Sequence, residues 1–478
     1  MYVIFIKMLG TQIFILLHRF DFTNFDSIYF LFFLFISVLL YYLFNKSKFI
    51  LLIISLVFYA FFSVKMTFFI LALSLINYFA GIALSFRKSF VICFIIVALD
   101  LCTLGYFKYS NFFIENLHSL NLLNSFNTLT YLVIPLGISF FTFELVHYIV
   151  DVYKGEKPIF NLFIFLNFIF FFPTLFAGPI KRFESFAPQL NKSQDRKIFF
   201  NEGLLLLIRG LTKKVIFADT LANFVAYGFA NTSNSLVILI AIYAFSLQIY
   251  FDFSGYTDIA RGSARLFGII IPENFLSPYF SQNIREFWRR WHITLMSWLR
   301  DYVYIPLGGS RKGKSRGAIN TLVVFLLSGL WHGAAWHYIL WGFYHGSLMV
   351  IYNFARSFRK IERKINLFYK LLSVLITFQL VTFGWIFFRA SSVNSAFQII
   401  TDLLNINNYH FLNLDFLIKF TVILVFLAIY VLTPYTLNFI KPNKKIYNFS
   451  KNFIYSVALL IIFLSFPTNN IPFIYFQF

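Results

Sequence analysis

The stretch Phe30-Leu-Phe-Phe-Leu-Phe-Ile-Ser-Val-Leu-Leu-Tyr-Tyr-Leu-Phe44 contains no charged residue, and a similar apolar run follows at residues 49–64. A membrane-spanning helix needs about 20 predominantly apolar residues. Comparable runs recur along the 478-residue chain, at 67–84, 90–106, 131–150, 160–176, 202–216, 235–251, 319–330, 334–354, 371–388, 417–439 and 453–466. The pattern predicts an all-α polytopic membrane protein with about 11–13 transmembrane helices.

The composition supports a membrane location. Hydrophobic residues make up 59% of the chain and charged residues only 12%, whereas soluble domains contain roughly 25% charged residues. The net charge of +21 would suit a nucleic-acid-binding protein. However, basic residues cluster in short connectors, for example at Lys181, at Lys213 and Lys214, and in the stretches 356–364 and 441–451. Cytoplasmic loops of membrane proteins are enriched in this way, so we interpret the charge as a topology signal.

The chemistry is concentrated in the middle of the chain. Residues 1–24 are predicted to be an N-terminal extension or an extra anchor, and residues 25–478 a single transmembrane domain. Residues 1–170 carry almost no polar side chains that suggest catalysis. Residues 171–346, by contrast, hold all but one of the seven tryptophans. Cys93 and Cys102 lie in one apolar segment and do not suggest a disulfide framework.

Two carboxylates occupy an otherwise apolar run. Asp252 and Asp258 are six residues apart, and Arg261 follows Asp258 by three. At helical spacing Asp258 and Arg261 share a face and can pair. Intramembrane charges usually face a protein interior or a water-filled cavity. They are therefore either structural ion pairs or the lining of a substrate tunnel.

An aromatic and basic block spans residues 283–316. It is too charged to lie in lipid, and its tryptophans and tyrosines are typical of the membrane–water interface. We place it at the cytoplasmic boundary. Arg300, Arg311, Lys312 and Lys314 are candidates for binding a phosphorylated donor, because basic side chains pair with phosphates. An interfacial anchor would contain the same residues.

The string Ser328-Gly-Leu-Trp331-His332-Gly-Ala-Ala-Trp336-His337 lies between two apolar runs. A histidine at membrane depth is costly unless a partner or a function retains it. His332 is therefore either a structural histidine or a catalytic one. His337 and His345 lack the same setting and are interpreted as structural or interfacial.

Five motifs together resemble a known family, the membrane-bound O-acyltransferases, and most closely its bacterial alginate O-acetylating branch. The chain from about residue 25 onward is similar to that branch, except that Arg261 stands where the pattern favours an apolar residue. The matching strings are Phe172-Pro-Thr-Leu-Phe-Ala-Gly178-Pro179-Ile, Asp252-Phe-Ser-Gly-Tyr-Thr-Asp258, Glu286-Phe-Trp-Arg-Arg-Trp-His292, Arg300-Asp-Tyr-Val-Tyr-Ile-Pro-Leu-Gly-Gly309 and Leu330-Trp-His332-Gly.

The resemblance implies helices around a central tunnel and two characteristic histidines, His292 and His332. It also implies acetyl transfer from a cytoplasmic donor, acetyl-CoA, with a separate extracytoplasmic acetyltransferase as partner. On this basis His332 is the expected general base, and His292 positions the donor or relays a proton. Trp331 and Trp336 are expected to exclude water. An acetyl-histidine intermediate is the competing mechanism.

The orienting partner of His332 and the substrate stay open at this point. Asp252 and Asp258 are candidates for orienting His332. The acceptor is alginate, another exopolysaccharide or peptidoglycan, in the inner membrane of a bacterium. The alternatives are D-alanyl transfer to teichoic acid and, from another class, a transporter or flippase for a glycan or lipid-linked sugar. The sequence shows no metal-ligand spacing and no phosphate-binding P-loop, so we expect no metal and no permanently bound cofactor.

Overall fold

The structure is a computed structural model that describes residues 25–122, 129, 134–176, 178–191, 196–231, 233–358, 366–440 and 473–474. The predicted N-terminal extension, residues 1–24, lies outside these residues, as does the apolar run at 453–466. The described chain forms two compact units. One comprises Met1–Leu207 and Tyr256–Pro272, and the other Ile208–Gly255 and Glu273–Phe478.

The first unit is built from helices joined by short connectors. In chain order these are α1 (Ile28–Leu43), α2 (Lys48–Phe62), α3 (Val64–Phe86), α4 (Phe90–Leu104), α5 (Ser110–Ser119), α6 (Ile138–Lys154), α7 (Leu162–Phe170), the one-turn α8 (Phe183–Phe186) and most of α9 (Arg196–Leu211). A π-helical turn at Gly105–Tyr109 joins α4 to α5.

The second unit holds the motif-bearing residues from Glu273 onward. Its helices are α10 (Asp219–Ala230), the first part of α11 (Ser235–Leu266), α12 (Ile284–Arg290), α13 (Ile293–Leu299), α14 (Lys314–His332), α15 (Trp336–Ser357), α16 (Leu367–Arg389), α17 (Val393–Leu404) and α18 (Leu414–Ile440). π-helical segments at Thr212–Ala218 and Arg300–Tyr304 follow α9 and α13.

Serine residues start four consecutive helices of the first unit. The side chains of Ser27, Ser47, Ser63 and Ser89 each accept a hydrogen bond from the backbone N–H three residues later. An N-cap serine satisfies a donor that the first helical turn leaves without a partner. In a membrane an unsatisfied backbone group costs several kcal/mol, so these caps fix where the apolar helices begin.

Four helical segments of the described chain are long and apolar enough to cross a membrane. They are Val64–Phe86, Phe90–Ser119, Ser235–Leu266 and Leu367–Arg389. Shorter apolar helices lie at Ile28–Leu43, Lys48–Phe62 and Leu162–Thr174. In the described residues we find no strand, only an isolated bridge between Phe275 and Trp291. The prediction of an all-α polytopic membrane protein is confirmed.

Helices α14 and α15 form a closely packed hairpin. A Cβ atom added at Gly329 would lie 2.2 Å from the carbonyl oxygen of Tyr338, and one at Gly342 would lie 2.2 Å from that of Phe325. Small residues allow this approach, as they do between membrane helices in general. The hairpin fixes the position of the loop between the two helices, which begins directly after His332.

Two of the lysines that the sequence placed in short connectors have buried side chains. In the first unit, Lys181 is 2% exposed and its Nζ lies 2.6 Å from the Oε1 of Glu144. In the second unit, Lys214 is also buried, and its Nζ lies 3.0 Å from the Oδ1 of Asp252. A carboxylate distant in sequence compensates each charge, so these two lysines have a structural role that the sequence did not indicate.

Residues 1–170 carry more polar chemistry than their composition indicates. Glu144 and His147 of α6 and Asp100 of α4 are all buried. Asn77 of α3 donates a hydrogen bond of 3.0 Å to the Oδ1 of Asp100. The backbone N–H of Phe183 donates to the Nε2 of His147. These contacts pair the polar side chains within the unit and give them a structural role.

Candidate functional site

His332 is the last residue of α14, and Gly333 ends the helix. Its side chain is buried, with 3% exposure. Three aromatic rings surround the imidazole, with centroids at 4.9 Å for Trp331, 5.1 Å for Trp341 and 5.2 Å for Phe388. These rings give the histidine an enclosed apolar setting, which is suited to chemistry from which water must be excluded.

His292 lies between α12 and α13 in a left-handed backbone conformation, with φ 45° and ψ 52°. Such a conformation is uncommon for a residue other than glycine and clusters at functional sites. Asn274 maintains it. The backbone carbonyl of Asn274 accepts from the N–H of Ile293 at 3.1 Å, and its side-chain oxygen accepts from the Thr294 hydroxyl at 2.6 Å. His292 itself is buried.

One tryptophan connects the two histidines. The Trp331 ring lies 5.9 Å from that of His292 and 4.9 Å from that of His332, with interplanar angles of 73° in both cases. Phe253 packs on His292 at 4.7 Å. The structure therefore brings together two histidines that belong to separate sequence motifs, around the buried ring of Trp331.

Trp336 does not share this environment. It is the first residue of α15 and is 57% exposed, whereas Trp331 is buried. The predicted part of Trp336 in excluding water stays a prediction. An α-helix has about 3.6 residues per turn, and Trp341 rather than Trp336 lies on the buried face of α15. Together with Trp331, the rings of Trp341 and Phe388 enclose His332.

Asp252 belongs to a buried ion cluster. Its Oδ1 lies 3.0 Å from the Nζ of Lys214, which also lies 2.8 Å from the Oδ1 of Asp219. The Oδ2 of Asp252 accepts a hydrogen bond of 2.8 Å from the backbone N–H of Ile474. Both oxygens are engaged by these groups, so the structure does not support Asp252 as the partner that orients His332.

Asp258 forms the ion pair that the sequence predicted. Its Oδ1 lies 3.6 Å from the Nη1 of Arg261, one helical turn away on α11. Both residues belong to the first unit. The pairing expected from helical spacing is present, and the lining of a substrate tunnel by Asp258 stays a prediction.

Two cavities beside α12 and α14 are lined by basic side chains. The first, of about 450 Å³, is bordered by Arg285, Arg289 and Arg300. The second, of about 710 Å³, is bordered by Arg285, Lys314 and Arg356. Among the described residues, no acidic side chain lines either cavity. Both volumes fall in the range of small-molecule binding sites, and we call them the basic cavities.

The predicted donor-binding residues separate into two groups. Arg300 and Lys314 line the basic cavities, whereas Arg311 and Lys312 line neither. The Arg311 guanidinium instead donates to the backbone carbonyls of Ile305 and Gly308. It therefore closes the turn that precedes α14.

Sequence reasoning missed Asn274, Arg285, Arg356 and Trp341 as parts of this region. Asn274 precedes the motif that ends at His292 and belongs to no motif itself, so no local pattern indicates its contact. The spacing of Trp331 and Trp341 gave no indication that both rings enclose His332. In the described residues no group of three or more His, Cys, Asp or Glu could hold a metal ion.

The fold and site define an integral membrane protein with two buried histidines beside basic cavities. The sequence model of the membrane-bound O-acyltransferase family matches residues 39–393. The chain belongs to that family.

Its relatives include the probable alginate O-acetylase AlgI of Pseudomonas aeruginosa, 44% identical over 63% of this chain and 58% of that protein. The peptidoglycan O-acetyltransferase of Helicobacter pylori is 36% identical over 69% of this chain and 68% of that protein. The teichoic acid D-alanyltransferase of Bacillus subtilis is 33% identical over 53% of this chain and 68% of that protein. The chain thus spans about three fifths of the length of the alginate relative.

Proposed function

We propose that this protein is an O-acyltransferase of a bacterial inner membrane. It passes an acetyl group from acetyl-CoA on the cytoplasmic side through the membrane for O-acetylation of a surface or secreted polysaccharide. The observation that carries the proposal is the pair of buried histidines around Trp331. The expected central tunnel and an extracytoplasmic acetyltransferase partner are parts of the same proposal.

His332 acts as the general base. A thioester is already activated, so transfer requires an acceptor hydroxyl and removal of its proton. The imidazole takes that proton as the hydroxyl oxygen attacks the acetyl carbonyl carbon. The C–O bond forms, the C–S bond breaks, and the leaving thiolate takes the proton from the imidazolium. The enclosing rings of Trp331, Trp341 and Phe388 keep out the water that would hydrolyse the thioester.

His292 positions the donor. The next residue, Ile293, lines the first basic cavity, so His292 stands at the boundary between that cavity and the ring of Trp331. Its backbone is held in the left-handed conformation by Asn274. This restraint limits the positions that the imidazole can take. The basic cavities hold the donor phosphates through Arg285, Arg300 and Lys314, because arginine and lysine pair favourably with phosphate.

The relatives support acetyl as the group transferred. The alginate and peptidoglycan relatives are named for O-acetylation and are 44% and 36% identical to this chain. The D-alanyltransferase of Bacillus subtilis is 33% identical. The acceptor glycan is accordingly an alginate-like exopolysaccharide or peptidoglycan.

The proposal is tested by replacing His332 with alanine. Loss of a general base lowers the rate by about 10²–10⁴-fold, so His332→Ala should abolish acetyl transfer while expression and the melting temperature in detergent change little. The measurement is the acetyl content of the surface glycan in strains that carry each variant at matched protein level. A D-alanyl signal on the glycan instead of acetyl would correct the group transferred.

His337→Gln serves as the matched control. His337 is a buried histidine in the same hairpin, and its Nδ1 lies 3.1 Å from the backbone oxygen of Phe387. Its substitution should affect melting more than transfer per molecule. Normal acetylation with His332→Ala would end the catalytic assignment and favour transport of a glycan or lipid-linked sugar.

A further inference from the structure

Helices α3 and α4 of the first unit meet through one amide and one carboxyl side chain. Asn77 of α3 and Asp100 of α4 are each 0% exposed. The Nδ2 of Asn77 donates to the Oδ1 of Asp100 at 3.0 Å and to the backbone carbonyl of Leu73 at 3.1 Å. An amide nitrogen carries two hydrogens, so both donors of Asn77 are in use.

Two oxygen atoms of this pair have no hydrogen-bond partner in the described part of the chain. They are the Oδ1 of Asn77 and the Oδ2 of Asp100. An amide oxygen and an ionised carboxylate only accept hydrogen bonds, so these two atoms cannot satisfy each other while Asp100 is charged. Exchanging the oxygen and nitrogen of the amide would turn an oxygen toward the carbonyl of Leu73. Buried polar groups are nearly always hydrogen-bonded, and each exception needs an explanation.

The pair lies near the middle of two segments that can cross a membrane. Asn77 is nine residues before the end of α3 at Phe86, and Asp100 is ten residues after the start of α4 at Phe90. At a rise of 1.5 Å per residue these distances are about 14 Å and 15 Å. The hydrocarbon core of a bilayer is about 30 Å thick, so both side chains lie close to its centre. A charged carboxylate at that depth is costly.

No lysine, arginine or histidine in the described residues forms an ion pair with Asp100. Helix α4 packs against α3 and α6, and Lys108 follows Asp100 by eight residues, about 12 Å along the axis. The titratable groups of the facing helices make other contacts: Tyr78 with the Phe160 carbonyl, Glu144 with Lys181, His147 with the Phe143 carbonyl, Tyr148 with Gly81, Asp151 with Lys154 and Arg182, and Tyr153 with Lys88.

We propose that Asp100 holds a proton and that its neutral carboxyl group and the Asn77 amide form a pH-sensitive contact between α3 and α4. The O–H at Oδ2 donates to the Oδ1 of Asn77, so one proton gives both remaining oxygens a partner. Loss of the proton leaves two acceptors facing each other and an uncompensated charge at the centre of the membrane, which separates the helices. This inference is independent of the proposed function.

The test compares two isosteric substitutions of buried carboxyl groups in the same unit. In Asp100→Asn a new Nδ2 takes the place of the protonated oxygen and donates to Asn77, so the melting temperature in detergent at neutral pH should not change. Glu144→Gln is the matched control, because Glu144 is 3% exposed and lies 2.6 Å from the Nζ of Lys181. That substitution leaves a buried charge uncompensated and should lower the melting temperature by several degrees. Equal losses in both variants would show that Asp100 is ionised and overturn the proposal.

The pH dependence provides a second readout. An aspartate in the unfolded chain is ionised at neutral pH, whereas the folded protein retains the proton. Raising the pH therefore favours the unfolded state, and the melting temperature of the wild-type protein should fall toward alkaline pH more steeply than that of Asp100→Asn. Identical slopes in the two proteins would contradict a pH-sensitive contact at Asp100.

Infrared spectroscopy of the wild-type protein in lipid reads the protonation state without relying on the folding of Asp100→Asn. A protonated carboxyl group has a C=O stretching band that a carboxylate lacks, and labelling with ¹³C-aspartate should shift this band. Asn77→Leu removes the hydrogen-bond acceptor and should move the band to higher frequency. A spectrum at neutral pH with no such aspartate band, or with a band that Asn77→Leu leaves in place, would overturn the proposal.

Discussion

At Lys214 a single ammonium group compensates two buried carboxylates, those of Asp219 and Asp252. Breaking a buried ion pair by removing one partner leaves an uncompensated charge and costs about 3–5 kcal/mol. Lys214→Met should accordingly lower expression and the melting temperature in detergent. The matched control is Lys419→Met, because Lys419 pairs with Asp415 at 2.6 Å with both side chains exposed. An exposed pair contributes about 0–1 kcal/mol, so equal effects in the two variants would contradict the structural role of Lys214.

The basic side chains of the 283–316 block are not equivalent at the residue scale. Arg300 and Lys314 line the basic cavities, and Arg311 and Lys312 line neither. Arg300→Gln and Lys314→Gln should each raise the KM for acetyl-CoA roughly 2–5-fold, with a smaller effect at high salt because exposed charges are screened. Arg311→Gln and Lys312→Gln are the controls. A KM that changes as much in the controls would argue against phosphate binding in these cavities.

Among the elements, the α14–α15 hairpin is the one whose geometry determines the site. Gly329→Ala places a methyl group 2.2 Å from the backbone oxygen of Tyr338. Only a displacement of the backbone can relieve this clash. Overpacking of this kind costs about 1–3 kcal/mol, so we expect a lower melting temperature and reduced transfer. Gly105→Ala is the control, because an added Cβ there meets nothing within 4 Å. A Gly329→Ala protein with normal melting would show that the two helices separate easily.

The orientation in the membrane is a property of the whole molecule. Residues 285–316 contain eight basic residues and two acidic ones, and such a bias retains a segment in the cytoplasm. In a background without Cys93 and Cys102, Ser315→Cys should resist a membrane-impermeant thiol reagent in intact cells. It should be labelled after permeabilisation, since Ser315 is exposed. Labelling of intact cells would place the basic cavities on the outside and exclude a cytoplasmic donor there.

The sequence by itself determined the membrane class, the helical fold and the two histidines of interest. Apolar runs are a local property, because each helix satisfies its own backbone hydrogen bonds inside the bilayer. The pairing of Asp258 with Arg261 was predictable for the same reason, since both lie on one turn of one helix. The position of His332 between two apolar runs likewise follows from nearby residues alone.

Only the tertiary structure decided which side chains meet. Trp341 packs beside His332, and Lys214 pairs with Asp252 of another helix. Asn274 holds the backbone at His292 from outside the motif. The tertiary structure also showed that His345 is enclosed with two indoles. These contacts depend on how helices distant in sequence pack together. Hydropathy measures the free energy of placing one segment in a membrane, and spacing shows which of its residues share a helix face. Neither carries information about which other helices pack against that segment.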